Sequence, residues 1–180
     1  MMIAIAFESH ATSLDNEAGI ASGINDVDLS KLGVQQAKQL GQRYQNEFFD
    51  AVFCSDLKRS YRTAQIAFQN RNFKIIKDER LRECNYGKFN GAKIDINTIK
   101  AKYITKSYPE SGESYEQTTE KMRSFLSELL MNYQGKKIMI IGSRATQYGL
   151  EHLVNHVPLA EAVMAPWHWQ PGWRYYLRKL

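Results

Sequence analysis

The sequence predicts an α/β fold, a three-layer sandwich in which a mainly parallel sheet carries helices on both faces. Short apolar runs alternate with stretches whose apolar residues recur at helical spacing, the rhythm of strand-helix units. No internal repeat or low-complexity tract interrupts that rhythm, and a length of 180 residues fits a single domain over 1–180 with a real core.

Met2 to Phe7, Ala51 to Cys54, Phe73 to Ile76 and Lys137 to Ile141 are short and apolar, as strands buried on both faces are. Ala37, Leu40, Gly41, Tyr44 and Phe48 share one face of a helix starting near Ser30, and Leu57, Tyr61, Ala64 and Phe68 share one face of the next. Ser114 and Gln117 form a capping-box pattern ahead of Met122, Phe125, Leu126, Leu129, Leu130 and Tyr133, and Gly135 marks that helix's end. A last helix is expected over Arg144 to Asn155. Trp173 to Leu177, preceded by Pro171 and Gly172, reads as an edge strand. Residues 84–112 form an irregular insert.

Composition narrows the function. With 43% hydrophobic and 24% charged residues, 11 Gly and 4 Pro, the chain is neither collagen-like nor broadly disordered. The apolar run Met1 to Phe7 falls far short of the ~20 residues of a membrane span and has no basic start, so no membrane partner and a cytoplasmic location are expected. Cys54 and Cys84 form no CxxC or Cys/His spacing and are expected as free thiols, Cys54 as a buried structural one. The net charge of +5 is uneven: residues 71–106 hold ten Lys/Arg against four Asp/Glu. Such a face attracts anions, and without a helix-turn-helix, RNP-like or zinc-finger pattern it suits phosphorylated small molecules better than nucleic acid. A solvated basic face is the competing reading.

Ligands of open parallel sheets bind beyond the carboxyl ends of the strands. After the first strand come Glu8-Ser9-His10-Ala11-Thr12-Ser13, and after the second Ser55-Asp56-Leu57-Lys58-Arg59. The third is followed by Arg80-Leu81-Arg82-Glu83 and the fourth by Gly142-Ser143-Arg144. These groups fit phosphoryl transfer: neutral His10 attacks phosphorus, Arg59 holds phosphoryl oxygens, and Glu83 protonates the departing oxygen. Each also has a plainer reading. His10 can be structural, Arg59 with Arg62 can be a solvated helix face, and Glu83 can pair with Arg80 or Arg82. Trp167 to Trp173 can line a substrate mouth or pack the last strand on the core, and His152 and His156 are expected to be structural or exposed.

Taken together, these residues resemble the phosphoglycerate mutase-like histidine phosphatase superfamily over nearly the whole chain. His10 through Asn16, then Ser22-Gly23, Asp26, Leu29-Ser30, Gly33 and Gln36-Ala37, is similar to the family's histidine loop and following helix. Ser55-x-Leu57-x-Arg59 with Thr63-Ala64 resembles the second motif, Leu81-Arg82-Glu83 with Gly87 and Gly91 the third, and Pro109 with Gly112-Glu113-Ser114 the next. The resemblance implies His10 as the residue phosphorylated, Arg59 as a phosphate clamp, Glu83 as proton donor, and Asn16, Ser22 and Gly23 as phosphate-side contacts. It implies no metal or organic cofactor, and the chain's length resembles the small phosphatases more than the mutases.

Two positions depart from the family pattern. Its Arg-His-Gly is Ser9-His10-Ala11 here, and its second histidine falls on Ser143. One lost donor to developing charge can cost ~100–1000-fold in rate. Ser9, Ser143, Arg144 or a basic group of the insert is then the candidate for the remaining phosphate contacts. The expected function is phosphomonoester hydrolysis through phospho-His10 on a small phosphorylated metabolite. The alternative is a catalytically impaired relative that binds a phosphorylated ligand or a protein without turnover.

Overall fold

The computed structural model describes residues 1–180. Its strands are β1 (Ile3–Ser9), β2 (Ala51–Cys54), β3 (Ile75–Lys77), β4 (Lys137–Gly142) and β5 (Trp173–Leu177), ordered β3-β2-β4-β1-β5. The first four run parallel and β5 pairs antiparallel with β1. The α-helices are α1 (Leu14–Ala18), α2 (Lys31–Arg43), α3 (Lys58–Phe68), α4 (Tyr115–Asn132), α5 (Arg144–Leu153) and α6 (Leu159–Met164).

Strand alternation divides the core into two layers. Ile3, Ile5, Phe7, Phe53, Ile138 and Ile140 point to one face, where Met122, Phe125, Leu126 and Leu129 of α4 and Leu150 and Leu153 of α5 cover them. Ala6, Val52, Cys54, Met139 and Ile141 point to the other, against Leu40 and Tyr44 at the end of α2 and Ala64 and Phe68 of α3. This is the expected three-layer α/β arrangement. The parallel crossovers bring the chain back to the same edge each time, so the carboxyl ends of β1, β2 and β4 lie side by side.

Where the boundaries differ from expectation, pairing and packing explain the shift. β1 runs two residues further than Phe7 because its ladder with β4 continues through Glu8 opposite Ile141 and Ser9 opposite Gly142. β3 begins at Ile75, since Phe73 is drawn into an aromatic cluster with Phe49 and Phe68 at centroid distances of 5.9 and 5.3 Å. Phe48 does not share the buried face of α2: the helix ends at Arg43, and Phe48 is 67% exposed. α5 stops at Leu153 rather than Asn155. The short helices α1 and α6 were not expected.

The insert is not a loose loop. It holds 3₁₀ turns at Gly87–Phe89, Ile96–Thr98 and Lys100–Tyr103 and builds a separate aromatic layer. Tyr103 stacks on Tyr108 at 3.9 Å, and Tyr86, Tyr108 and Tyr115 pack with Tyr148 of α5 and Val163 of α6.

The loop after β1 is held by α2 and α3. Ala11 N–H donates to Thr63 Oγ1 (3.0 Å), and Thr12 N–H donates to Gln36 Oε1 (2.9 Å). Ser30 N–H donates to the Thr12 carbonyl (3.0 Å), and Gly33 sits so close to that carbonyl that a Cβ would overlap it. Gly33→Ala is therefore expected to destabilise the fold by about 1–3 kcal/mol through forced displacement of α2 from the loop. Chemical denaturation measures this, and an unchanged midpoint would mean that the helix is not seated there.

Candidate active site

A cavity of about 590 Å³ opens at the carboxyl edge of the sheet. His10, Arg59, Glu83 and Arg144, each just beyond a strand or at the start of the next helix, line it together.

His10 is fixed by its backbone and its own ring. Its N–H donates to the Gly142 carbonyl (2.9 Å), and ring Nδ1 lies 2.8 Å from the Ala11 carbonyl. A carbonyl only accepts, so Nδ1 carries the proton, and in the neutral ring Nε2 keeps its lone pair. Burial above all, then the Arg59 guanidinium and more weakly Arg144, lowers the pKa of His10 to about 3. The ring is therefore neutral at ordinary pH, with the Nε2 lone pair uncommitted.

Arg59 is 2% exposed and yet enters no ion pair, whereas Arg43, Arg62 and Arg82 all do. Its guanidinium donates to the carbonyls of Gly23 (2.6 Å) and Asn25 (2.8 Å), which leaves further N–H groups for a ligand. Burial pulls its pKa down and the charge of Glu83 pulls it up. Gly23 adopts φ +52, and a Cβ there would collide with Asn90 of the insert. The loop over Arg59 thus requires glycine at that position.

Glu83 accepts from Cys84 N–H (2.8 Å) through one carboxylate oxygen, and the carboxyl lines the cavity among Tyr86, Tyr115 and Tyr148. It is not the ion-pair partner of Arg80 or Arg82, which turn to Asp78 and Asp56. Asn16 gives its side-chain oxygen to Ser13 N–H (3.0 Å), so its NH2 group remains a free donor on the wall. Ser22 also lines the cavity, and its hydroxyl is shielded from solvent without a hydrogen-bond partner. An orphaned buried hydroxyl costs roughly 1–3 kcal/mol, which a bound oxygen ligand would offset.

Ser9 reaches the wall at the end of β1, but Ser143 does not. Ser143 is 2% exposed at the N-cap of α5, where its hydroxyl lies 3.2 Å from Thr146 Oγ1 and its N–H donates to the same oxygen (3.1 Å). The expectation that Ser143 faces the cavity is therefore corrected: the helix cap takes its hydroxyl. Arg144, the next residue, lines the cavity instead, its guanidinium over Trp167 (4.7 Å) and 3.3 Å from Asn97 Oδ1.

The tryptophans divide both expected roles. Trp167 and Trp169 line the cavity mouth, while Trp173 packs against Phe7 at 5.6 Å. His152 bonds the Val157 carbonyl (2.8 Å) outside the cavity. Cys54 is a free buried thiol whose pKa burial raises to about 12, which leaves it unreactive.

Sequence reasoning named neither Lys100 nor Arg43 and gave Glu8 no role in the site. Lys100 gave no motif and was hidden within a generally basic segment. Arg43 and Glu8 form an ion pair at 3.0 Å, with Tyr44 donating to the same Glu8 oxygen (2.8 Å); a charged residue within the apolar run after Phe7 was their one signal.

A neutral histidine facing an unpaired arginine across one cavity is the setting in which the comparisons with known proteins are read. The chain belongs to the histidine phosphatase superfamily (branch 1), whose family model matches residues 7–166. It is 27% identical over 155 residues to phosphoserine phosphatase 1 of Hydrogenobacter thermophilus, covering 78% of this chain and 70% of that protein. It is 26% identical over 149 residues to the uncharacterized phosphatase PhoE of Bacillus subtilis, covering 83% and 76%. Among solved structures, the fold matches Bacillus stearothermophilus YhfR with a TM-score of 0.81 at 21% identity, covering 94% of this chain and 88% of the other. A mycobacterial glucosyl-3-phosphoglycerate phosphatase matches with 0.78 at 20% identity, covering 90% and 85%. No helix is long and apolar enough to cross a membrane.

The depressed pKa of His10 predicts a pH effect. The unfolded chain binds a proton near pH 6.5 that the folded chain refuses until about 3, so the stability associated with neutral His10 is present above 6.5 and lost as pH falls through that window. Between about pH 7 and pH 4.5, the Tm of the wild type should fall further than that of His10→Asn. Equal falls would mean that His10 is free to protonate in the folded state.

Proposed function

We propose that the chain is a phosphomonoester hydrolase that works through a phosphohistidine at His10 on a small phosphorylated metabolite. The observation that carries this reading is the bare Nε2 of a neutral His10, set by the Ala11 carbonyl beside the unpaired guanidinium of Arg59. Nε2 attacks phosphorus as the ester P–O bond breaks, and Glu83 gives its proton to the departing oxygen. The Glu83 carboxylate then takes a proton from water, whose oxygen attacks the phosphohistidine. Inorganic phosphate leaves and His10 is restored. Arg59, the Asn16 amide and the Ser22 hydroxyl supply donors to the phosphoryl oxygens, where preorganised groups act most strongly. The relatives' names make phosphoserine a first substrate to assay.

His10→Ala should abolish both hydrolysis and the acid-labile phosphoenzyme while leaving the Tm near that of the wild type. Persistent turnover would place the nucleophile elsewhere. Glu83→Gln should lower kcat/KM about 100-fold or more for alkyl phosphates and much less for p-nitrophenyl phosphate, whose leaving group needs no proton. Equal losses on both substrates would make Glu83 a structural group.

Ser9 and the capped Ser143 favour a second reading, a relative that binds a phosphorylated ligand without turning it over. A wild type that binds inorganic phosphate yet hydrolyses no member of a broad phosphometabolite panel would select it.

A further inference from the structure

The cavity's charges do not balance. Apart from the Glu8–Arg43 pair, its walls carry Arg59, Lys100 and Arg144 against Glu83 and Asp95, and none of those three cations enters an ion pair. Lys100 is the sharpest case. It is 5% exposed, a burial that lysine almost never shows unpaired, and its ammonium meets only the neutral Tyr148 hydroxyl at 3.4 Å, with the ring centroid at 5.5 Å. The aromatic layer of the insert holds it there, since the 3₁₀ turn Lys100–Tyr103 packs with α6 and with Tyr148.

Lys100 and Arg144 also act on each other. Burial first, then the charge of Arg144, holds the Lys100 pKa below its ordinary value, while Asp95 and Glu83 oppose that fall. Trp167 and Asn97 place the Arg144 guanidinium on the cavity wall. Three cations against two carboxylates, with Lys100 and Arg144 hydrogen-bonded only to neutral groups, make a site whose charge is completed by an anion.

We propose that Lys100 and Arg144 replace the two phosphate donors that the family pattern places at Ser9 and Ser143, so that the phosphoryl group is clamped between Arg59 and this pair. The proposal rests on the phosphatase reading of the same cavity and deepens it: the second half of the clamp comes from the insert and the start of α5 rather than from the strand ends. Lys100 then donates through its ammonium and Arg144 through its fork of N–H groups. Both strengthen as negative charge gathers on the phosphoryl oxygens.

The test is the affinity for inorganic phosphate, measured by calorimetry and by the phosphate-induced rise in Tm. Lys100→Met and Arg144→Met should each weaken it about 10- to 100-fold, and Lys100→Arg should stay within a few-fold of wild type. Near-UV circular dichroism checks the fold; should Lys100→Met unfold, Lys100→Gln carries the same expectation. Affinity within about twofold of wild type in both Met variants overturns the clamp. So does unchanged phosphate affinity combined with a loss of kcat/KM confined to phosphoserine and absent for phenyl phosphate, which would place Lys100 on a carboxylate of the leaving group. A wild type that does not bind phosphate overturns it as well. If phosphate affinity falls in both variants while the wild type hydrolyses nothing, the clamp stands and the phosphatase reading fails.

Discussion

The guanidinium of Arg59 is the constraint around which the cavity is organised. A buried charge without a carboxylate partner is costly, and here backbone carbonyls are what it gains. Its bonds to Gly23 and Asn25 pin the loop between α1 and α2 over the helix that carries it. Gly23 in turn sits against Asn90, so the same bonds seat the insert. From the other side, Thr63 Oγ1 donates to the Arg59 carbonyl (2.6 Å) while accepting from Ala11 N–H, which links this turn of α3 to the residue after His10. Three sequence-distant segments are thereby referred to one residue. The position of His10 relative to a cationic donor is fixed by hydrogen bonds rather than by packing alone.

Strong periodicity made most of the fold legible. The alternation in β1, β2 and β4 separates two buried faces, and the Ser114–Gln117 capping box begins α4 as its spacing implies, with Ser114 accepting from Gln117 N–H (3.1 Å). Trp173 to Leu177 matches β5 because its apolar residues alternate and Gly172 at φ +85 sets the turn before it. Local patterns failed where long-range partners decide. Phe73 leaves the strand for an aromatic cluster, and Phe48 lies beyond a helix end that its spacing did not mark. α1 had a readable signal in Ser13 and Asn16, which cap it reciprocally, but five residues give no periodicity to detect.

The candidate site was legible to the same extent and for the same reason. His10, Arg59 and Glu83 follow strands and converge because parallel topology makes strand ends converge. Ser143 follows a strand too, yet a threonine three residues on captures its hydroxyl, an event set by rotamers rather than by sequence position. Lys100 lay beyond reach for the opposite reason. It sits in a segment without regular strands, and only the tertiary packing of Tyr103, Tyr108 and Tyr148 turns one lysine among many into a buried one.

The sheet order has a consequence for how the protein is made. The strand that leads into His10 is flanked by β4 and β5, which lie at residues 137–142 and 173–177. Of the five strands, β1 emerges first from the ribosome and its two hydrogen-bonding partners last. Its backbone N–H and C=O groups therefore stay unpaired while the intervening elements are made, and the sheet closes only on contacts of very high sequence separation, which are slow to form. An exposed strand of this kind is a template for pairing with other nascent chains. Removal of β5 would accordingly act far from its own place in the sequence: it would bare one side of the strand on which the histidine is mounted.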